Sequence, residues 1–535
     1  MAQMFNPYLP GGEYVPDGEP HVFGDRVYVY GSHDRFGAPM FCMNDYVCWS
    51  APILPDDDPA ASDAAGGPVY GPWPAQPARP RRNRRRLGEW RYEGVIYRKN
   101  QDPRNRLGLR LLFAPDVALG PDGRYYLYYA FDFMGVMGVA VADDPAGPFE
   151  FHGHVHYADG TLWGRREGDS FPFDPGVLVD DDGRVYLYSG FSVLVPPAVT
   201  GGVRLGHDGG VMVELEPDML TIAAPERLVF PNRGEGSFPG HEFFEASSIR
   251  KYDGMYYFVY SSRLNHELCY AVSDRPDGGF RYGGTLVSNG DIGLPGVPDE
   301  RHARNYTGNN HGGLLRLGDD FYVFYHRQTN RSSYARQACA ERLDWHRGGG
   351  AIWFAQAEMT SCGLNGGPLA AEGTYEARIA CDLWSDRGTG RYDGAHPKRT
   401  LRMHPYFTQD EPDGSPSARQ YVANMGDGAT AGYKYFDFGG DGDGGDAAGR
   451  SGRLSVAVLV RAHRGDGVRG DARGTITVGT DPEGGDPIMR IPVSVGQRHR
   501  AMACGAGERP RGVRPLYLTY RGSGAIDMLS FTLGR

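Results

Sequence analysis

Three acidic residues lie before an aromatic strand signal and are the first candidates for chemistry. Asp17 lies in YVPDGEP, Asp116 in FAPDV and Glu245 in FFEAS. Their neighbours are Pro, Phe, Val and Ala, an apolar setting that a merely solvated carboxylate does not need. Burial beside another carboxylate raises the pKa of a carboxyl group, and a general acid needs such a raised pKa. The alternative interpretation is that each acid only caps a turn.

The elements that would position these acids are five copies of one short signal. The copies are FGDRVYVYGS, GPDGRYYLYYA, DDDGRVYLYSG, KYDGMYYFVYSS and LGDDFYVFYHR. A Gly/Asp turn followed by a Tyr- and Val-rich run predicts a β-hairpin. The hairpins align on Tyr28, Tyr126, Tyr186, Tyr257 and Tyr322, at intervals of 98, 60, 71 and 65 residues. A hairpin repeat of this length predicts a five-bladed β-propeller, with an ordinary antiparallel sandwich as the alternative.

A propeller would bring the three acids together. The innermost strand of each blade lines the central channel, so acids carried there by different blades converge on one pocket. The sequence therefore predicts a carboxylate cluster rather than three separate turn caps.

The remaining segments divide the chain into domains. Residues 55–88 change from acidic to Ala/Gly/Pro-rich and end with six arginines within 79–86. This composition predicts a disordered insertion whose arginines are solvated, with binding of an anionic partner as the alternative. The superperiod stops near residue 345, and a linker is predicted over 346–364. From 365 to 535, alternating strands such as RLSVAVLVRA predict a β-sandwich. The fold class is thus all-β, a five-bladed propeller over 1–345 followed by a sandwich.

Composition excludes several classes of function. The 535 residues are 40% hydrophobic, enough for real cores, and the net charge of −10 argues against a nucleic-acid binder. The sequence shows neither a signal peptide nor an apolar run of about 18 residues, so a cytoplasmic protein without a membrane partner is expected. Seven cysteines without a CxxC pair are typical of reduced packing residues. Nothing in the sequence indicates the oligomeric state.

The blade motifs resemble those of glycoside hydrolase family 43. NPYLP, PDGEPHVFGDRVYVYGSHD, FAPDVALGPDG, FDPGVLVDDDG, FFEASSIRKYDG and GNNHGG carry the likeness, which spans about residues 5–340. The resemblance implies an inverting enzyme acting on α-L-arabinofuranosides or β-D-xylosides. It further implies Asp17 as general base, Asp116 as the acid that tunes the proton donor, and Glu245 as general acid. Glu19 does not match a catalytic position and is expected to serve structure.

The resemblance also suggests secondary site residues. His33, Asp34, Asp174 and Arg327 are expected to contact sugar hydroxyls, with turn capping as the alternative for each. His311 in GNNHGG matches a histidine that helps to hold a calcium or other ion in the channel through water, and a hydrogen-bonded structural histidine is the alternative. No cofactor is required for the chemistry.

The C-terminal strands resemble carbohydrate-binding modules of family 6. YKYFDFGG, GTITVGT and RPLYLTYRGSGAIDMLSFTL carry this likeness, and Tyr433 and Tyr435 are expected either to stack on sugar or to belong to the core.

These observations predict an exo-acting glycosidase that removes terminal arabinofuranose from short oligosaccharides. The alternatives are a β-D-xylosidase or galactofuranosidase at the same site, or a non-catalytic glycan-binding propeller. The three acids argue against the last of these.

Overall fold

The computed structural model describes residues 4–55, 85–394, 399–415, 417–439, 452–485 and 487–535. Strands make up nearly all of their regular structure. Short 3₁₀ helices occur at Pro103–Asn105, Asn289–Asp291, Glu300–His302, Gly363–Asn365, Ala377–Ile379 and Arg399–Leu401. Among the described residues, no helix has the length and apolar character needed to cross a membrane.

The first part of the chain folds into five mainly antiparallel sheets, the blades of a β-propeller. Blade 1 contains β1 (Glu19–Phe23), β2 (Arg26–Tyr30), β3 (Tyr46–Pro55), β4 (Arg85–Leu87) and β5 (Arg91–Tyr97). Blade 2 contains β6 (Leu112–Leu119), β7 (Tyr125–Phe131), β8 (Met137–Ala142) and β9 (Glu150–His154). Blade 3 contains β10 (His156–Tyr157), β11 (Gly176–Val179), β12 (Val185–Ser189), β13 (Gly209–Leu215), β14 (Thr221–Ile222) and β15 (Arg227–Pro231).

The last two blades follow the same plan. Blade 4 contains β16 (Phe243–Tyr252), β17 (Met255–Ser262), β18 (Glu267–Ser273) and β19 (Arg281–Ser288). Blade 5 contains β20 (Leu314–Leu317), β21 (Asp320–Thr329) and β22 (Ser332–Leu343). A separate hairpin of β23 (Trp345–Gly348) and β24 (Ala351–Phe354) comes next. The predicted five-bladed, all-β architecture is confirmed.

The aromatic phrases of the sequence form one strand in each blade, namely β2, β7, β12, β17 and β21. Each pairs antiparallel with the strand before it through the predicted turn. Gly123 and Gly183 occupy these turns with φ of 82° and 83°, a conformation that costs glycine little because it has no Cβ.

The core consists of wedges between successive blades. Alternate residues of a strand point to opposite faces of its sheet. Tyr28 and Tyr30 of β2 therefore pack against blade 2, whereas Val27 and Val29 pack against blade 5. Further wedges join blades 2 and 3, 3 and 4, and 4 and 5. Five such wedges close the ring, and the N–H of Tyr8 reinforces the closure by donating to the carbonyl of Ala338 on β22.

The second domain is a sandwich of two six-stranded sheets. One sheet has the order β25-β30-β35-β32-β33 with β27 paired to β30, and the other has β28-β29-β36-β31-β34 with β26 paired to β36. The strands are β25 (Leu369–Ala370), β26 (Gly373–Glu376), β27 (Asp382–Trp384), β28 (Tyr406–Gln409), β29 (Gln420–Met425), β30 (Ala429–Asp437), β31 (Arg453–Ala462), β32 (Ala472–Gly479), β33 (Pro487–Val495), β34 (Arg500–Glu508), β35 (Val513–Ser523) and β36 (Ile526–Gly534).

Two sequence-based boundaries can be compared with the elements. Of the predicted insertion at 55–88, residues 56–84 lie outside the described residues, whereas Arg85–Leu87 form β4, whose Leu87 pairs with Ile53 of β3. The predicted linker at 346–364 overlaps the β23–β24 hairpin, and the first sandwich strand begins at Leu369.

Candidate active site

A cavity of about 470 Å³ is lined by side chains from all five blades. Each blade contributes at least one residue, for example Asp17, Phe113, Asp174, Glu245 and His311 in blade order. The volume lies in the range typical of small-ligand sites. The carboxyl groups that face this cavity are the groups available for acid–base chemistry.

Asp17 is buried and paired. Nη1 of Arg336 donates to Oδ1 of Asp17 at 2.8 Å, and the backbone N–H of Asp17 donates to Nδ1 of His326 at 3.3 Å. Nε2 of His326 lies 2.8 Å from the carbonyl of Asn309, so Nε2 carries the proton and Nδ1 accepts. Burial by itself raises the pKa of Asp17, but the charge of Arg336 and the neighbouring His326 and His311 together outweigh it, and the pKa falls well below its usual range. Asp17 is therefore ionised.

Arg336 is the residue that fixes this charge state. Besides Asp17, its guanidinium donates to both carboxylate oxygens of Asp34, at 2.9 and 3.1 Å, and it lies 4.8 Å from the ring centroid of Phe41. Asp34 was expected to contact sugar. The structure places it behind Arg336, where it is fully buried and also accepts from the N–H of Cys42.

Glu245 faces the same cavity in a different electrostatic state. The pairing of β16 with β17 shifts register on both sides of Glu245, and such irregularities re-aim a side chain. Burial, together with the negative charge of Asp17, raises the pKa of Glu245 to about 7. A carboxyl group with a pKa of about 7 is protonated in about half of the molecules at pH 7, so it can donate a proton there.

Asp174 lies beside Glu245 in the cavity. Oδ2 of Asp174 accepts from the N–H of Ala246 at 3.0 Å and lies 3.6 Å from Nδ1 of His311. Burial and the neighbouring charge of Glu245 raise the pKa of Asp174 well above its usual range. The protonation states of Asp174 and Glu245 are therefore linked.

The backbone around the acids adopts a rarely populated conformation. Asp17, Asp174 and Ala246 have φ of 58°, 47° and 68°, the left-handed region that favours glycine. Such positions cost on the order of 1–3 kcal/mol each and cluster at functional sites, where the surrounding structure holds them in place.

Phenylalanine side chains supply much of the remaining wall. Phe173 lies 5.2 Å from Phe113 and 4.9 Å from Phe191, measured between ring centroids, and Phe244 follows at 6.0 Å from Phe191. All four line the cavity. Aromatic faces suit the apolar C–H surfaces of a sugar ring.

The second domain also reaches the cavity. Residues 391–394, between β27 and β28, belong to its lining. The N–H of Tyr392 donates to the carbonyl of Thr307 at 2.9 Å, and Oγ of Ser333 donates to the carbonyl of Tyr392 at 2.8 Å. The ring of Tyr392 stacks on Tyr306 at 4.8 Å. These contacts hold Arg391 and Asp393 at the edge of the site.

The structure places Asp116 outside this lining, in a polar network of the innermost strands. Its Oδ1 lies 2.6 Å from Nε2 of His21, and its Oδ2 accepts from the N–H of Val177 at 2.7 Å. Burial raises the pKa of Asp116. The contact with His21 and the charge of Arg250 lower it by more, so the net shift of the pKa is downward. Asp116 and Asp17 lie at similar offsets before their turns, but only Asp17 lines the cavity.

Glu19 belongs to the same network. Its Oε2 accepts from Nη2 of Arg250 at 2.6 Å and from Oγ of Ser248 at 3.0 Å. Arg250 also donates to the carbonyls of Pro20 and Leu314. One guanidinium thus connects blades 1, 4 and 5, the kind of structural role that was expected for Glu19.

Two further residues expected to bind substrate have protein partners instead. Nδ1 of His33 lies 2.8 Å from the carbonyl of Asp45, and its Nε2 lies 3.0 Å from Oε1 of Glu13. Arg327 is buried at the domain junction, where it donates to the carbonyls of Arg378 and Ala380.

The two tyrosines for which sugar stacking and core packing were the alternatives are also buried. Tyr433 is fully buried in the sandwich core and donates to the carbonyl of Ala377, while Tyr435 donates to Glu358. The core alternative describes this environment.

The surroundings of His311 do not fit a directly ligated ion. Its ring is buried and lies against Asp174. Among the residues that the structure describes, His311 belongs to neither group of three side chains whose ligand atoms lie close enough to share a metal. The role in holding calcium stays a prediction.

The sequence motifs did not reveal Arg336, His326, the phenylalanine wall or residues 391–394. Arg336 is 319 positions from Asp17, and its segment SSYARQACAERL carries no local signal of a site.

A pocket that presents one ionised carboxylate and one protonated carboxyl group to the same space has the groups of an acid–base glycoside hydrolase. Comparison with known proteins agrees: the chain belongs to glycosyl hydrolases family 43, whose family model matches residues 73–350. A xylosidase/arabinosidase of Thermoclostridium stercorarium is 44% identical over 99% of both chains.

Two other similar proteins are more distant. A β-xylosidase of Xylanibacter ruminicola is 30% identical over 52% of this chain and 82% of its own. The solved family 43 arabinoxylan arabinofuranohydrolase of Bacillus subtilis, in complex with cellotetraose, is 20% identical over 99% of this chain and 97% of its own, with a TM-score of 0.45.

Proposed function

We propose that this glycoside hydrolase releases terminal α-L-arabinofuranose from short oligosaccharides with inversion at the anomeric carbon. The observation that carries the proposal is the pair of Asp17 and Glu245, held in opposite protonation states in one cavity. The similarity along the whole chain to a xylosidase/arabinosidase supports the choice of a pentose.

In this mechanism Glu245 donates its proton to the glycosidic oxygen as the bond from that oxygen to the anomeric carbon breaks. Asp17 removes a proton from a water molecule whose oxygen forms the new bond on the opposite face. Arg336 helps to keep Asp17 ionised, the state in which a carboxylate can accept a proton.

We assign to Asp174 the tuning role that the family resemblance implied for Asp116. Tuning acts through space, and Asp174 shares the cavity with Glu245. Asp116 does not line that cavity and is already bound to His21 and Val177.

The second-domain wall supports the exo mode and the preference for short substrates. Tyr392 is hydrogen-bonded to Thr307 and Ser333 of the propeller, so residues 391–394 form a fixed boundary of the cavity. A long chain that ran past the acids on both sides would meet this boundary, whereas a chain end would not.

A β-D-xylosidase using the same residues is the second candidate function. The β-xylosidase of Xylanibacter ruminicola, which matches over 82% of its own length, favours it. Both candidates require the same acid and base, so the sugar is decided by substrate assays.

The test compares Asp17→Asn and Glu245→Gln on aryl and natural glycosides of α-L-arabinofuranose and β-D-xylose. Loss of the proton donor should slow natural substrates far more than aryl glycosides with good leaving groups. Loss of the base should slow both alike, by about 10²–10⁴-fold. NMR of the first product should show the inverted anomer.

Glu341→Gln provides a matched control. Burial also raises the pKa of Glu341, to about 8, but this residue does not line the cavity. Its variant should keep normal turnover. Near-normal activity of Asp17→Asn on both kinds of substrate would overturn the assignment, and turnover of xylosides alone would favour the second candidate.

A further inference from the structure

Three potential metal ligands of different chemical types meet on blade 4, outside the pocket lining. His241 lies in the turn before β16, and Glu267 and Cys269 lie two residues apart on the same face of β18. Nδ1 of His241 is 2.7 Å from Oε1 of Glu267 and 3.9 Å from Sγ of Cys269. All three ligand atoms lie within 4.8 Å of one another. We propose that these residues form a binding site for one divalent cation of the zinc class.

The surroundings hold the proposed ligands in position. Oγ of Ser262 donates to Oε1 of Glu267 at 2.6 Å, and Oγ1 of Thr285 donates to Oε2 at 3.0 Å. The ring of His241 stacks on Tyr282 at 4.9 Å between centroids, with an interplanar angle of 19°. Outer contacts of this kind orient ligands in metal sites and tune their affinity.

The ligand set selects the class of ion. A thiolate and an imidazole suit zinc, cobalt or copper, whereas calcium and magnesium prefer oxygen ligands alone. Zinc–nitrogen and zinc–sulfur bonds of about 2.0 and 2.3 Å place tetrahedral neighbours about 3.3–3.6 Å apart. The nitrogen–sulfur separation must therefore shorten by about 0.3 Å and the nitrogen–oxygen separation must lengthen by about 0.6 Å.

An ion can reach the site from solvent, and its binding releases the thiol proton of Cys269. The side chain of His241 is 34% exposed, so an ion can enter from solvent, while Glu267 and Cys269 are buried. On binding, the metal–sulfur bond replaces the S–H bond of Cys269, and the released proton goes to solvent. Water completes the fourth position, since three protein ligands leave one open.

The location gives the site a structural connection to the pocket. His241 precedes the strand that carries Glu245, and Ser262 begins the turn that carries Asn265, which lines the cavity. An ion would link these two segments. The inference does not depend on the proposed function, because an ion can bind whether or not the pocket cleaves arabinosides.

The experiment titrates the metal-free full-length protein with Co²⁺ and follows the thiolate-to-metal charge-transfer absorption. One equivalent should produce this absorption, and Zn²⁺ should abolish it by displacement. Zn²⁺ should also raise the melting temperature of the metal-free protein. Cys269→Ala should remove the absorption, and Glu267→Gln, which keeps the side-chain shape, should weaken binding by at least about 10-fold.

Cys504→Ala is the matched control, because Cys504 is the exposed cysteine and the six others are buried. This variant should bind like the unaltered protein. The proposal fails if Co²⁺ gives no charge-transfer absorption, or if the signal disappears in Cys504→Ala and persists in Cys269→Ala. In either case His241 and Glu267 form an ion pair without a metal.

Discussion

At the scale of single residues, the pocket depends on the neighbours that hold two similar carboxyl groups in different protonation states. Arg336 ionises Asp17, while burial keeps a proton on Glu245. Two carboxyl groups of nearly equal intrinsic pKa thereby become a base and an acid, because Arg336 donates a hydrogen bond to Asp17 and only a weaker electrostatic effect reaches Glu245.

The pH dependence of kcat/KM should report this separation. Activity needs Asp17 ionised and Glu245 protonated, so it should fall above a pH of about 7, the pKa of Glu245. On the acidic side it should persist below the ordinary aspartate range, because the pKa of Asp17 lies well below that range. In Asp174→Asn the basic limb should move to lower pH, since Glu245 then titrates without a second carboxyl group whose protonation is linked to its own. A basic limb that does not move would contradict the role of Asp174.

At the scale of elements, strand irregularities and strand ends position the polar groups. Register shifts flank Glu245 in β16, and another lies between Phe113 and Asp116 in β6. In the sandwich, His463 follows β31 and links it to β36. Its Nδ1 is 2.6 Å from Oδ1 of Asp527, and its Nε2 is 3.2 Å from Oδ2 of Asp466.

His463 should make the protein less stable as the pH becomes alkaline. Burial lowers its pKa, but the hydrogen bonds to Asp466 and Asp527 outweigh burial and raise the pKa to about 9. A pKa raised in the folded state stabilises the fold fully below about pH 6.5, and the gain is lost as pH rises through about 9. His463→Gln should therefore lower the free energy of unfolding by about 3 kcal/mol at pH 6 and by little at pH 10.

Denaturant titrations at both pH values provide the measurement. His499→Gln, which changes an exposed histidine of the same domain, should have no effect at either pH. An equal loss at pH 6 and pH 10 for His463→Gln would show that packing, not charge, is responsible.

At the scale of the whole molecule, a buried lysine connects the domains. Nζ of Lys434 on β30 lies 2.8 Å from Asp291, 3.0 Å from Glu358 and 3.0 Å from Asp382. Asp291 and Glu358 precede the sandwich, and Asp382 belongs to it. Burial lowers the pKa of Lys434, but the three carboxylates raise it well above its usual range.

Lys434→Met should destabilise the protein at pH 7 by about 3–5 kcal/mol, because it leaves buried carboxylates without a cation. The loss should shrink at pH 5, because burial raises the pKa of Asp382, and that of Asp291 to about 7 despite Lys434, so both take up protons more readily. Thermal and denaturant unfolding at both pH values give the comparison. Adding Asp382→Asn should recover part of the loss, and no recovery would argue against unpaired charge as the cause.

The sequence alone determined the architecture. Turn signals and aromatic strands are patterns of a few residues, and their spacing repeats along the chain. All five hairpins and the alternating strands of the sandwich could therefore be predicted. The blade motifs also pointed to Asp17 and Glu245, both of which line the cavity.

Only the tertiary structure decided which other groups share that cavity. Asp116 and Asp174 both precede turns, but a side chain changes face with each residue of a strand and is re-aimed by each bulge, so sequence offset could not rank them. Arg336 meets Asp17 across 319 residues, and residues 391–394 arrive from the other domain. Such contacts follow from ring closure and domain docking, which leave no local pattern in the chain.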